Sequence, residues 1–152
     1  MTNRSSPTIH FYFDNVAFSF RNRNKLKHFI SQIFKANKKK LATLSYVFST
    51  DREVLRINRS YLNHDFYTDV IAFDLSETGL EIQGEIYISV DRVRQNAKTF
   101  HVPFNEELHR VIFHGTLHLC GFRDKASADR AIMMNEETRC LTRYLQMFHV
   151  KQ

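Results

Sequence analysis

Residues 107–124, ELHRVIFHGTLHLCGFRD, constrain the fold of this chain more than any other stretch. Leu108, Val111, Ile112, Gly115 and Leu119 recur at helical spacing and form one apolar stripe, which must lie on a core. Pro103 and Asn105 start the helix, and Glu106 and Glu107 occupy its first turn, where carboxylates meet the positive end of the dipole. Gly121 follows the last apolar residue, where a positive φ commonly ends a helix. A second stripe of the same helix carries Arg110, His114, Leu117 and His118. One helix is therefore expected to serve both a core and a chemical site.

The flanking segments supply what this helix packs on. Ile9–Phe13, Leu41–Ser49, Asp69–Leu75 and Gly84–Ser89 are β-branched or aromatic and are expected to be strands. Leu26, Phe29, Ile30, Ile33 and Phe34 mark a helix from Asn24, with Lys38–Lys40 as cations closing its negative end. Thr50 and Glu53 form a capping box for a helix to about Tyr61. Ser89 is expected to cap a helix to about Phe100, and Ser127 to cap the last one. The order βαβαββααα predicts an α+β fold: one domain over residues 1–152, with a small mixed sheet of about four strands and about five helices.

Composition narrows the class. With 43% hydrophobic and 25% charged residues the chain can build a core and is not a disordered polymer. The opening MTNRSSPT is polar, so no signal peptide is expected, and no apolar run approaches the ~20 residues of a membrane helix. A cytoplasmic protein follows as the expectation, with Cys120 and Cys140 as reduced thiols and Cys120 as a small buried residue. The net charge of +6 and pI near 9.5 permit a nucleic-acid partner. Clusters such as RNRNKLK (Arg21–Lys27) and KANKKK (Lys35–Lys40) are equally what a solvated helix face and its end would carry.

His114 and His118 stand one helical turn apart and project from one face. Two imidazoles so placed can share a Zn²⁺ ion, and a third ligand must come from beyond the turn. Gly121 lets the chain reverse, which frees Asp124 to fold back as that ligand. His114, His118 and Asp124 are thus the expected metal ligands, holding one Zn²⁺ per chain and leaving a position for water. The spacing HxxxHxxGxxD also matches the zinc helix of the metzincin proteases. Those enzymes place a glutamate general base directly after the first histidine; here that residue is Gly115, which cannot take a proton. The plain alternative is a pair of surface histidines on a capped helix.

These blocks resemble the YbeY family, bacterial metal-dependent endoribonucleases that mature ribosomal RNA. The family pattern HGxLHLxGYDH stands here as HGTLHLCGFRD, LNxxYRxxDxPTDVLSF as INRSYLNHDFYTDVIAF, and GDIxIS as GEIYIS, in the same order. The resemblance implies a zincin-like metal helix in an α+β fold, and hydrolysis of single-stranded RNA in ribosomal RNA maturation and ribosome quality control. Ribosomal RNA and the ribosome are the implied partners; a monomer is expected. The family's third ligand is histidine, and Asp124 occupies its place. A carboxylate adds negative charge, so the metal should pull less strongly on its water. Leu62 stands where the family has an arginine expected to meet phosphate. Arg59, one turn earlier, is the expected substitute, with Arg123 as its competitor. Asp69 and Glu85 lie in family blocks and are candidate catalytic carboxylates lining the cleft, one of them as the partner of a ligand imidazole. Two other classes share these features: another metal-dependent hydrolase acting on a peptide or small molecule, and a non-catalytic RNA binder at the ribosome.

Overall fold

The computed structural model describes residues 6–149, so the first five residues of the polar opening lie outside it. The element order is β1 (Thr8–Phe13), α1 (Arg23–Ala36), β2 (Leu41–Ser49), α2 (Asp51–Leu62), β3 (Val70–Asp74), β4 (Ile82–Ser89), α3 (Val90–Phe100), α4 (Phe104–Leu119) and α5 (Ser127–His149). This is the βαβαββααα order that the periodicities predict. The four strands form one sheet in the order β1-β2-β4-β3. β1, β2 and β4 run parallel, and β3 pairs antiparallel with β4 at the edge, which makes the sheet mixed.

Strand alternation sorts residues onto two faces. Gly84, Ile86 and Ile88 of β4 and Val70 and Ala72 of β3 belong with the main core, which Leu108, Ile112, Phe113 and Leu117 of α4 share. Ile71, Phe73 and Tyr87 point the other way, onto Val54 and Ile57 of α2. The helix α4 therefore lies on one face of the sheet and α2 on the other. Three details seat α4. A Cβ on Gly115 would meet Ile86 Cγ2 at 2.9 Å and Val70 Cγ2 at 3.2 Å. A Cβ on Gly84 would meet Leu119 Cδ1 at 2.6 Å. Inside the core, Thr116 donates to the Ile112 carbonyl at 2.7 Å, so the Tyr46 hydroxyl is the donor in its 2.6 Å bond to Thr116 Oγ1.

The caps depart from expectation in instructive ways. Thr50 Oγ1 accepts from the Glu53 N–H at 3.2 Å, but the Glu53 carboxylate turns to Arg56 instead of back to Thr50, so only half of the capping box forms. Ser89 caps α3 as expected, accepting from the Arg92 N–H at 3.1 Å. Ser127 is already helical; Ala126 holds the cap position, its carbonyl accepting from the Arg130 N–H at 2.9 Å. The helix α1 ends at Ala36 with Asn37 as its cap, and Lys35 is the cation in its last turn. Lys38 adopts φ +57° in the turn that follows, so Lys38–Lys40 lead into β2 and do not close the helix. Cys120 and Cys140 are buried free thiols, pushed up by burial to about 12 and about 11.

Candidate metal centre

His114 and His118 leave the last two turns of α4 along one flank, beside the Gly115 line that meets the sheet. Gly121 then takes φ +104°, a conformation that an L side chain rarely adopts, and the chain turns back towards the helix. This reversal brings Asp124 Oδ2 to 3.2 Å from His114 Nε2 and 3.0 Å from His118 Nε2, while the two Nε2 atoms lie 3.1 Å apart. Ligand bonds of ~2.0–2.1 Å in a tetrahedron place neighbouring donor atoms about 3.3 Å apart, close to this triangle.

The hydrogen bonds behind the rings decide which atoms face inward. The Phe122 carbonyl lies 3.0 Å from His118 Nδ1 and can only accept, so that nitrogen carries a proton. The Glu137 carboxylate lies 2.5 Å from His114 Nδ1 and fixes that ring in the same way. In the neutral tautomers both Nε2 atoms are then bare lone pairs, directed at each other and at a carboxylate oxygen. Three acceptors with no proton between them repel unless a cation joins them, so the donor set fits a metal ion. His114, His118 and Asp124 form a group that could hold one. Their side chains stay 23%, 29% and 35% exposed, which leaves the centre open to solvent or substrate.

The surroundings are acidic. Burial works against an imidazolium at His114, but Glu137, Asp69 and Asp124 outweigh it and raise the pKa of the ring. Burial also pushes the Asp69 carboxyl up, partly opposed by His114. Arg110 Nη1, 3.6 Å from Glu137 Oε1, is the cation beside this cluster.

Residues 12–145 match the family model for Endoribonuclease YbeY. The chain belongs to the YbeY family. Among its relatives, Endoribonuclease YbeY of Parabacteroides distasonis is 44% identical over 133 residues, which span 88% of this chain and 93% of the relative. Endoribonuclease YbeY of Flavobacterium psychrophilum is 45% identical over 137 residues, spanning 90% and 94%. The solution structure of TM1509 from Thermotoga maritima superposes with a TM-score of 0.56 at 24% identity, covering 91% of each chain, and has the same fold.

Within this YbeY chain the structure gathers some of the expected site residues and disperses others. His114, His118 and Asp124 converge. Asp69, at the head of β3, lines a cavity together with His114, Arg110 and Glu137, and accepts from Asn96 Nδ2 at 3.3 Å. Glu85 lies on the α2 face of the sheet, where it accepts from the Tyr87 hydroxyl at 3.2 Å; the sheet separates it from α4. Arg59 pairs with Asp65 and lines a different cavity with Arg52 and Arg56. Arg123 is exposed next to Asp124. The partner of the ligand imidazole is Glu137 on α5, neither Asp69 nor Glu85. Its signal in the sequence is position: Met133, Glu137, Cys140, Leu141 and Tyr144 share one buried stripe, and a carboxylate in such a stripe needs a partner.

Proposed function

We propose that this YbeY chain is a Zn²⁺-dependent endoribonuclease that cleaves single-stranded RNA in the cytoplasm, acting as a monomer on ribosomal RNA during its maturation and quality control beside the ribosome. The observation that carries the reading is the inward-facing triangle of His114 Nε2, His118 Nε2 and Asp124 Oδ2, in a chain whose relatives are named endoribonucleases. Imidazole nitrogen with one carboxylate favours Zn²⁺ among the common ions. Bound there, Zn²⁺ would supply Lewis acidity to a phosphoryl oxygen and make a water more acidic.

The chain's own side chains do the rest. Glu137 and the Phe122 carbonyl hold the two imidazoles in the tautomer that presents Nε2. Asp69, half-buried and raised by desolvation, is the carboxyl beside His114 that can hold a proton in transit. Arg110 stands where a cation can offset charge growing on a phosphate, with the exposed Arg123 as the alternative supplier; Arg59, paired with Asp65, lines a different cavity. The basic surface would hold the RNA backbone with an affinity that falls with salt.

The test is zinc content per chain in the parent and in His118→Ala, together with cleavage of a single-stranded ribosomal RNA fragment with and without a chelator. One zinc in the parent, far less in the variant, and cleavage lost to chelation and restored by Zn²⁺ are expected. Cleavage that survives chelation, or a full complement of zinc in His118→Ala, overturns the reading.

A further inference from the structure

We propose that the cavity beside His114 is a base-recognition subsite which takes a guanine of the RNA, and that Glu107 is the residue that reads it; this rests on the ribonuclease reading above. The cavity has a volume of about 490 Å³, within the range of small-molecule sites. Its lining is apolar at Phe100, Val102 and Met134 and polar at Asn96, Glu106, Glu107 and Arg110, and it includes His114. Phe100 ends α3 and is 59% exposed, its ring leaving apolar surface for a ligand to cover. An unpaired base stacked on that ring would do so.

Glu107 is the unexplained group of this cavity. It is 4% exposed as a residue and no hydrogen bond to its carboxyl forms among the described residues, yet its oxygens are not sealed in the core: they open to the cavity, with Arg110 as the nearby cation. Buried carboxyls of this kind ordinarily have partners. Most of the other polar groups are engaged, Asn96 with Asp69, Glu137 with His114, and Arg110 with Glu137 and Thr138; Glu106, which also lines the cavity, is only half-buried and can be met by solvent. Burial, with Asp69 next in order, pushes the Glu107 carboxyl up to about 7, the expected state of an acid whose donors are missing.

The missing donors have a definite shape. A carboxylate offers two parallel acceptors. Guanine presents two N–H groups side by side on its Watson–Crick edge, from N1 and N2. Adenine and cytosine present one exocyclic amine on that edge, and uracil one ring N–H. Guanine alone satisfies both oxygens at once. The placement suits a nucleotide as well. Glu107 and His114 are seven residues apart, almost two full turns, so both leave α4 on the same side about 10 Å apart along its axis. A phosphate held at the metal centre and the base attached to it span a comparable length.

Calorimetric titration of the zinc-loaded chain with the four nucleoside 5′-monophosphates tests this without requiring turnover. GMP is expected to bind about tenfold more tightly than AMP, CMP or UMP, as for a good bidentate contact. Glu107→Gln should bring the four affinities within about threefold of one another. Phe100→Ala, a change at an exposed ring, should weaken all four alike. Equal binding of the four by the parent, or a GMP preference that persists in Glu107→Gln, overturns the subsite. Mapping the cuts in a single-stranded RNA of mixed sequence separates the two readings. A GMP preference without any cleavage sinks the nuclease and keeps the subsite; cleavage indifferent to guanine, with no GMP preference, sinks the subsite and keeps the nuclease.

Discussion

His114 Nδ1 lies 2.5 Å from Glu137 Oε2, so the first imidazole of the metal group is held from α5 and not from its own helix. The centre thus depends on the packing of α5 against α4. Such partners keep a ligand ring in one tautomer and one orientation.

Glu137→Ala should therefore lower zinc affinity by about 10–100-fold while His114, His118 and Asp124 are all retained. Competition against a chromophoric chelator measures this directly. An affinity equal to the parent's would show that the carboxylate does not orient the ring.

Asp124 brings a negative charge to a position that is histidine in the family pattern. Exchanging it for a neutral ligand leaves more of the metal's charge to act on water. In Asp124→His the rise of cleavage rate with pH should shift to lower pH. A pH–rate profile that stays in place, or moves upward, contradicts this account.

Gly115→Ala opposes two effects of known sign. Helix propensity alone would reward alanine by about 1 kcal/mol. The added Cβ would stand 2.9 Å from Ile86 Cγ2 and 3.2 Å from Val70 Cγ2, and overpacking of this kind costs about 1–3 kcal/mol. A net loss of stability is expected in urea unfolding, because the neighbours belong to paired strands that cannot retreat independently. A stabilised variant would mean that α4 has slack above the sheet.

His109 lies in the core, its Nδ1–H donating to the Asn105 carbonyl at 2.7 Å and its Nε2 without a partner among the described residues. Its ring stacks on Tyr144 at 5.1 Å. Burial lowers its pKa, partly offset by the Asn105 bond. A histidine depressed in the folded state contributes full stability above its unfolded pKa of about 6.5 and loses it as pH falls below that value towards the folded one. His109→Phe keeps the stacking and removes the orphan nitrogen, for a gain of about 1 kcal/mol at neutral pH. The gap in thermal stability between variant and parent should be wider at about pH 5.5 than at about pH 8. A constant gap would show that His109 does not titrate with unfolding.

The legible parts of the site share one property: they are close in sequence. His114, His118, Gly121 and Asp124 encode their convergence through one helical turn and one reversal, both of which follow from residue type. Glu137 reaches His114 only because α5 packs along α4, and no local periodicity reports that. The Phe122 carbonyl is invisible for a different reason, since every residue carries one. Glu85 shows the converse failure. Strand alternation places it opposite Gly84 and Ile86, but which face of β4 would receive α4 is settled by the close approach at Gly84 and Gly115. For the fold, the element order follows from apolar spacing. The caps at Thr50 and Ser127 were less legible because Arg56 competes for Glu53 and a backbone carbonyl at Ala126 needs no special side chain.

Gly115 and Gly84 let the metal helix rest on β3 and β4 with no side chain as a spacer. A helix so seated has a single register against the strands; advancing by one residue would drive Thr116 into Ile86. Sheet and helix then form one support that carries His114 and His118 together. Of the three residues of the metal group, only Asp124 stands beyond this support, on the segment that follows the bend at Gly121.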